Sequence, residues 1–310
     1  TFITTALLCL AATTTMAQET AQKGEPDAKA KAKASINVHG TIRSKYELQT
    51  EEGEHRFEVR NARVSIDGVL SPIIYYKAEI DLCDEGKIKM LDAYTRLKPW
   101  QTMQFTIGQM RVPFTIDAHR SPHQQYFANR SFIAKQVGNV RDVGAALGYT
   151  FNVGFPIVLE AGLFNGSGLT NQKDFWTKNV NFSAKAQLLM PHGFNLTLST
   201  QKIKPDATDI IMYDAGAYWH QKGWHIEAEY LYKHYADDAF KAVHAFNSFV
   251  SYDIKVRKGL IRYVTPLVRY DYMSDHSDVR LNYEKYFYRD GGIAHRSERD
   301  KIVVEFMTRF

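Results

Sequence analysis

Cysteine is almost absent from this sequence: Cys9 and Cys83 are the whole stock in 310 residues. A disulfide scaffold is therefore excluded. No stretch is long and apolar enough to make a membrane-spanning helix, so a helical membrane protein is excluded too. Charge of either sign is in short surplus. The net charge of +5 is weak for this length, and no basic helix or nucleic-acid motif accompanies it, so nucleic acid is not an expected partner. Proline, at nine residues, is scarce beside 18 Tyr and 18 Phe. That balance points to many β-strands.

The first residues carry an export pattern. Phe2–Ala12 is a short apolar core, and Thr13-Thr-Thr-Met-Ala17 has the small residues of a cleavage site, so 1–17 is read as a signal peptide. The chain shows neither an initiator Met nor a basic leader, and the expectation is a truncated start. Leu8 is the wrong residue for a lipoprotein reading of Cys9. Cleavage after Ala17 leaves Cys83 without an internal partner. Residues 18–34, rich in Ala, Lys and Glu, lack apolar bulk and read as a flexible tail before a barrel at 35–310.

From Ile36 the sequence alternates with period two in segments of about ten residues, the length of a tilted bilayer-crossing strand. Ile36, Val38, Gly40, Ile42 and Tyr46 fall on one face; Asn37, His39, Thr41, Arg43 and Lys45 fall on the other. Val180–Leu188 and Trp224–Lys233 repeat the pattern. A soluble sandwich alternates as well, with its apolar face inward. Three features favour the inverted, membrane arrangement. The polar face stays charged in strand after strand, aromatic residues such as Trp100, Tyr149, Trp219, Trp224 and Tyr270 gather near strand ends, and the last segment, Lys301–Phe310, ends on Phe. The fold class expected is all-β: a transmembrane antiparallel β-barrel in the bacterial outer membrane.

Tight Gly- or Pro-marked turns, such as Leu70-Ser-Pro72 and His220-Gln-Lys-Gly223, alternate with longer polar loops. Thirteen strands are legible through Met273, Val279–Tyr288 reads as another, and the C-terminal segment makes fifteen. A closed antiparallel barrel with both ends on one side needs an even number. The expectation is a sixteen-stranded parent with one inward strand missing near 274–278. A true deletion and a faulty gene model would leave the same mark.

One connection breaks the rule of short links. Residues 110–140 leave regular pattern and carry Arg111, Phe114, His119, Arg120, His123, Tyr126, Phe127, Arg130, Phe132 and Lys135. A cationic, aromatic loop of this length is expected to fold into the barrel lumen and narrow it. Gly144, Ala146 and Gly148 share the lumen face of the next strand and leave room for it. With Gly108-Gln-Met-Arg-Val-Pro113-Phe114 before the loop, Arg141-Asp142-Val-Gly144 after it, and the C-terminal Leu281-Asn-Tyr-Glu-Lys-Tyr286 and Phe310, the chain resembles the phosphate-selective porin O and P family, in its Bacteroidetes-type members. The resemblance runs from Ser35 to Phe310. It implies a sixteen-stranded barrel, a trimer, and a basic constriction; the missing strand is a departure from it.

Screening singles out the charges that matter. At a Debye length of ~8 Å, wall charges in a wide channel are felt weakly on the axis, and charges carried inward by a loop strongly. Arg111, Arg120, Arg130, Lys135 and Arg141 are therefore the candidates for anion selectivity, with Arg43, Arg60, Arg63, Lys77 and Arg96 as a secondary track on the wall. The competing reading has them pinned by carboxylates such as Asp92, Glu160 or Asp142, with Arg141 the foremost case, while Glu79, Asp81, Glu227 and Glu229 dilute the positive field. The expected solutes are small hydrophilic molecules, biased to anions such as phosphate. No cofactor and no metal set is read: Pro122 between His119 and His123 disfavours the helix that would align them. Hydrolase motifs are missing from the sequence. The alternatives carried forward are a plugged structural or adhesive barrel and an outer-membrane hydrolase.

Overall fold

The computed structural model describes residues 34–309 apart from positions 51, 85, 128, 139, 170, 171, 206, 259, 260, 275 and 282 and the stretch 289–300. The export segment 1–17, the 18–34 tail up to residue 33, and Phe310 lie outside the described residues. In chain order the strands are β1 (Ser35–Gln49), β2 (His55–Ser71), β3 (Ile74–Asp84), β4 (Lys87–Trp100), β5 (Met103–Arg111), β6 (Arg141–Asn152), β7 (Pro156–Phe164), β8 (Asn181–Leu189), β9 (Phe194–Ile203), β10 (Ile210–Gln221), β11 (Trp224–Tyr235), β12 (Val243–Tyr252), β13 (Ile254–Lys258), β14 (Ile261–Val264), β15 (Leu267–Met273), β16 (His276–Leu281), β17 (Tyr283–Tyr288) and β18 (Lys301–Arg309). One α-helix, α1 (Phe132–Val137), lies between β5 and β6.

All strands but β13 and β14 form one closed antiparallel barrel, in which β12 neighbours β15 and β1 pairs with β18. β13 and β14 make a separate two-stranded ribbon at the foot of that pair. The barrel faces are inverted relative to a soluble protein. Ile42, Ile107 and Leu163 are 44%, 54% and 60% exposed on the outside, whereas Arg43, Asp81 and Glu227 are 1%, 0% and 1% exposed within. Apolar side chains outside and charged ones inside suit a wall with lipid around it and water within.

The count of sixteen barrel strands corrects the expectation of a lost strand near 274–278. That strand is present as β16, starting at His276, and what read as a single strand over 279–288 is the end of β16 followed by β17. The turn between them carries neither Gly nor Pro, so period-two alternation runs through it without a visible break. With β16 restored the barrel strands number an even sixteen, and the polar stretch 289–300 lies outside the described residues. The closing seam is thin: β17 meets β18 through Tyr283↔Ile302 and Glu284↔Lys301, against nine partner pairs between β1 and β18.

Two turns fix geometry used below. β10 and β11 are joined by Lys222 and Gly223, both at positive φ (53° and 87°). That is the two-residue type I′ geometry whose twist matches the flanking strands, and it sets His220 opposite His225. In β5, Gly108 sits at φ 127°, and a Cβ there would lie 2.3 Å from the Ala93 carbonyl oxygen. Only glycine fits, and the strand passes it just before the long loop begins.

Candidate functional site: a loop anchored inside the lumen

The connection 112–140 folds into the lumen as expected, and it brings its own core. Val112, Phe114, Ala118, Ile133, Ala134 and Val137 are buried together against lumen-facing Met110, Phe164, Met212, Leu231 and Ala245. Ala146 packs on the edge of this cluster. Gly144 has no room for a Cβ, which would meet the Phe164 ring and the Leu163 carbonyl. The small residues Gly144 and Gly148 on β6 make room for Phe164 of β7 and Gln104 of β5 rather than for the loop itself. Helix α1 is capped by Ser131, whose Oγ accepts from the Ala134 N–H (3.2 Å) and donates to Asp117 Oδ2 (2.6 Å).

On one side of the lumen the wall receives the loop with carboxylates. Glu229 accepts the backbone N–H groups of Ile116 (2.5 Å) and Asp117 (3.1 Å). Thr115 lies at φ 57°, an unfavourable region for a β-branched residue. The wall holds it there: its N–H donates to Ser199 Oγ (3.0 Å), its carbonyl accepts from Lys185 Nζ (2.8 Å), and Ser183 Oγ donates to the Pro113 carbonyl (2.7 Å). Arg120 makes a two-pronged pair with Glu227 and lies over the Tyr126 and Phe249 rings, at 5.1 and 5.8 Å. Against the burial that would lower it, the Glu227 carboxylate raises the Arg120 pKa, so this charge is fixed and neutralised.

On the other side the cations outnumber the acids. Arg141 pairs with Asp92 (2.6 Å) and Glu79 (3.2 Å), not with its neighbour Asp142, which accepts instead from the Val143 and Gly166 N–H groups. Arg63 takes Asp81 and Glu79, and Lys77 takes Asp92 and Glu79. Arg60, Arg111 and one nitrogen of Arg43 also donate to neutral oxygens. Arg60 donates to Asn129 Oδ1 (3.0 Å), Arg111 to the His119 carbonyl (2.5 Å), and Arg43 to Gln125 Oε1 (2.7 Å). The second terminal nitrogen of Arg111 is buried with no hydrogen-bond partner. Arg96 lies apart, on Thr106 Oγ1 and the Tyr75 and Tyr94 rings; Lys135 lies over the Phe132 ring.

Two loop groups register the local field. Arg130 is pushed down to about 10 by burial and by the charges of Arg60, Arg63 and Arg141, with Asp117 opposing. His119 is held well below its usual range by burial and then by Lys185, Arg111 and Arg141, so its imidazole stays neutral. Of the ten cations singled out in the sequence, Arg63, Lys77 and Arg141 share the carboxylates Glu79 and Asp92. Arg111 and Arg130 feel the charges of this group, with Arg60 also acting on Arg130. Arg120 faces away from the group, toward Glu227. Sequence reasoning missed the anchors Thr115, Ser183, Lys185 and Ser199. Lys185 alternates along β8 like any wall charge, and nothing local shows that it meets a carbonyl 70 positions away. Among the described residues, no group of three or more His, Cys, Asp or Glu is placed to hold a metal ion.

Comparison with known proteins agrees with this architecture. An anion-selective porin from Comamonas acidovorans superposes with a TM-score of 0.63 at 11% identity, covering 90% of this chain and 100% of its own. The outer-membrane channel DcaP of Acinetobacter baumannii gives a TM-score of 0.49 at 10% identity, covering 89% of this chain and 97% of its own. No curated protein sequence matches the chain. The family model described as phosphate-selective porin O and P matches residues 33–209, more than half of the sequence, with β1–β9 and the whole lumenal loop inside the match. With its sixteen-stranded wall and inward-folded basic loop, the chain belongs to the phosphate-selective porin O and P family of outer-membrane porins.

Proposed function

We propose that the chain is a passive channel whose constriction, between the lumenal loop and the β1–β6 wall, prefers small anions, phosphate among them. The observation that carries this is the placement of Arg60 and Arg111 against neutral oxygens while the nearby carboxylates Glu79, Asp81 and Asp92 are engaged by Arg63, Lys77 and Arg141. Beside the lumenal loop these two charges meet no carboxylate among the described residues. Guanidinium groups offer phosphate paired, directional donors. Export through residues 1–17, a free 18–34 tail, and assembly of the 35–310 barrel into a trimer in outer-membrane lipid belong to the same proposal. The sequence pattern supports the signal segment, and the family resemblance supports the trimer.

The test is planar-bilayer conductance of the refolded protein across a chloride gradient, repeated with phosphate. The expected result is a reversal potential on the anion side and a chloride current that falls as phosphate is added. Steady conductance without anion preference would leave a general porin and defeat the selectivity proposal. No conductance would favour a plugged barrel, a reading that the loop's dry core and its contacts on both walls make concrete. Cross-linking in native membranes checks the trimer.

A further inference from the structure

We propose that His220 and His225, with Tyr126 beside them, form a transition-metal site in the lumen near the tight-turn end of the barrel, taking Zn2+ or an ion of similar preference such as Cu2+ or Ni2+. The type I′ turn at Lys222-Gly223 fixes the register, so the two histidines are directly opposed across β10 and β11. Their Nδ1 atoms face each other at 3.4 Å. With metal–nitrogen bonds of about 2.0–2.1 Å, that separation corresponds to an N–metal–N angle of about 110°, the tetrahedral value. Tyr126 Oη lies 3.2 Å from His225 Nδ1, a length that suits a second edge of the same polyhedron.

The surroundings are those of a ligand set rather than of a core histidine. Glu227 receives His225 Nε2 at 3.0 Å. A carboxylate accepting the Nε2–H leaves the Nδ1 lone pair free and aims it at His220, the arrangement by which carboxylates orient metal-bound imidazoles. Tyr218 and Phe249 stack on His225 and hold its plane, at 5.6 and 5.1 Å. Arg120, over the Tyr126 ring at 5.1 Å, puts a positive charge beside the site, and Glu227 and Asp253 add negative charge against it. Two imidazoles leave positions for water, so the ion is exchangeable. Because Tyr126 belongs to the lumenal loop, an ion held there ties the loop to β10 and β11.

The experiment is titration of Zn2+ into the full refolded chain in detergent, with the electron paramagnetic resonance spectrum of added Cu2+ as a second reading. The expected result is one saturable Zn2+ per chain and a Cu2+ spectrum with two imidazole nitrogens. His220→Ala should weaken Zn2+ by roughly tenfold or more and leave one nitrogen coupling. Heat-modifiable gel migration checks that the variant has closed its barrel, and the Cu2+ spectrum of the unaltered chain tests the pair without any variant. No saturable uptake, or equal uptake by His220→Ala, overturns the site and leaves two imidazoles sharing a proton.

Discussion

Across the lumen from one another, the β8–β11 wall offers the loop Glu227 and Glu229, and the β1–β6 wall offers it Arg43, Arg60 and Arg111. The first wall meets Arg120 and the backbone groups of residues 113, 115, 116 and 117 with opposite partners. On the second, Arg60 and Arg111 meet the loop through an amide and a carbonyl, and the acids Glu79, Asp81 and Asp92 are engaged along the wall by Arg63, Lys77 and Arg141. One side therefore anchors, and the other keeps its field. Selectivity and attachment would compete if both depended on the same arginines, since a guanidinium paired two-pronged with a carboxylate has little left for a passing anion. Dividing the tasks between opposite walls removes that conflict.

The sharpest way to break the comparison is to remove the anchor. Glu227→Gln leaves Arg120 buried with only Asp117, at 3.6 Å, as its counter-charge, at a cost of up to about 3–5 kcal/mol, the figure for a fully orphaned buried partner. The loop should then detach from β11. The measurement is single-channel recording, where larger and noisier openings are expected, together with faster protease cleavage within 112–130. Quiet channels of unchanged conductance would show that the apolar cluster around Ile133 alone retains the loop.

Next in size is the field itself. Two unit charges ~4 Å apart interact by about 1 kcal/mol in water, so Arg111→Glu, which changes the local charge by two, should shift anion preference by about 2 kcal/mol, roughly thirtyfold. The conductance level should change far less than the reversal potential. Arg120→Gln is the matched control on the other wall: its charge is already cancelled by Glu227, so it should alter loop stability and leave the sign of selectivity intact. Equal selectivity losses in the two variants would erase the distinction between the walls.

How much of this was legible beforehand depends on the range of the interaction. Strand faces follow from neighbours two positions apart, so Arg43 and Ile42 were assigned correctly from the chain alone. The loop's inward fold followed from its length and its aromatic, basic content. The β16–β17 turn escaped because six-residue strands with no Gly or Pro between them imitate one longer strand. The partners of the arginines escaped for a different reason. Arg120 and Glu227 stand 107 positions apart, and which carboxylate a long side chain reaches is decided by the closed barrel, not by local pattern. Arg141 shows the hazard: the adjacent Asp142 was the natural partner on paper, yet adjacent residues in a strand point to opposite faces or splay apart, and Asp92 on β4 takes the charge.

The smallest expected effect tests the positive field through a group that never carries charge in the folded state. His119 has a folded pKa well below that of an exposed imidazole, because burial and then Lys185, Arg111 and Arg141 disfavour its protonation. When the loop is released, the imidazole regains its ordinary value near 6.5. Below that pH the released state binds a proton that the docked state refuses, so docking stability falls as pH falls and is fully present above it. This one group lowers docking stability as the pH falls from 7.5 to 5.5. Urea midpoints of the refolded barrel at the two pH values should therefore differ more for the native chain than for His119→Gln, which cannot take up the proton. If Arg111 is also replaced by Gln, one source of repulsion is gone and the native pH dependence should shrink. An identical pH dependence with and without His119 would mean that the imidazole escapes the field of the basic wall.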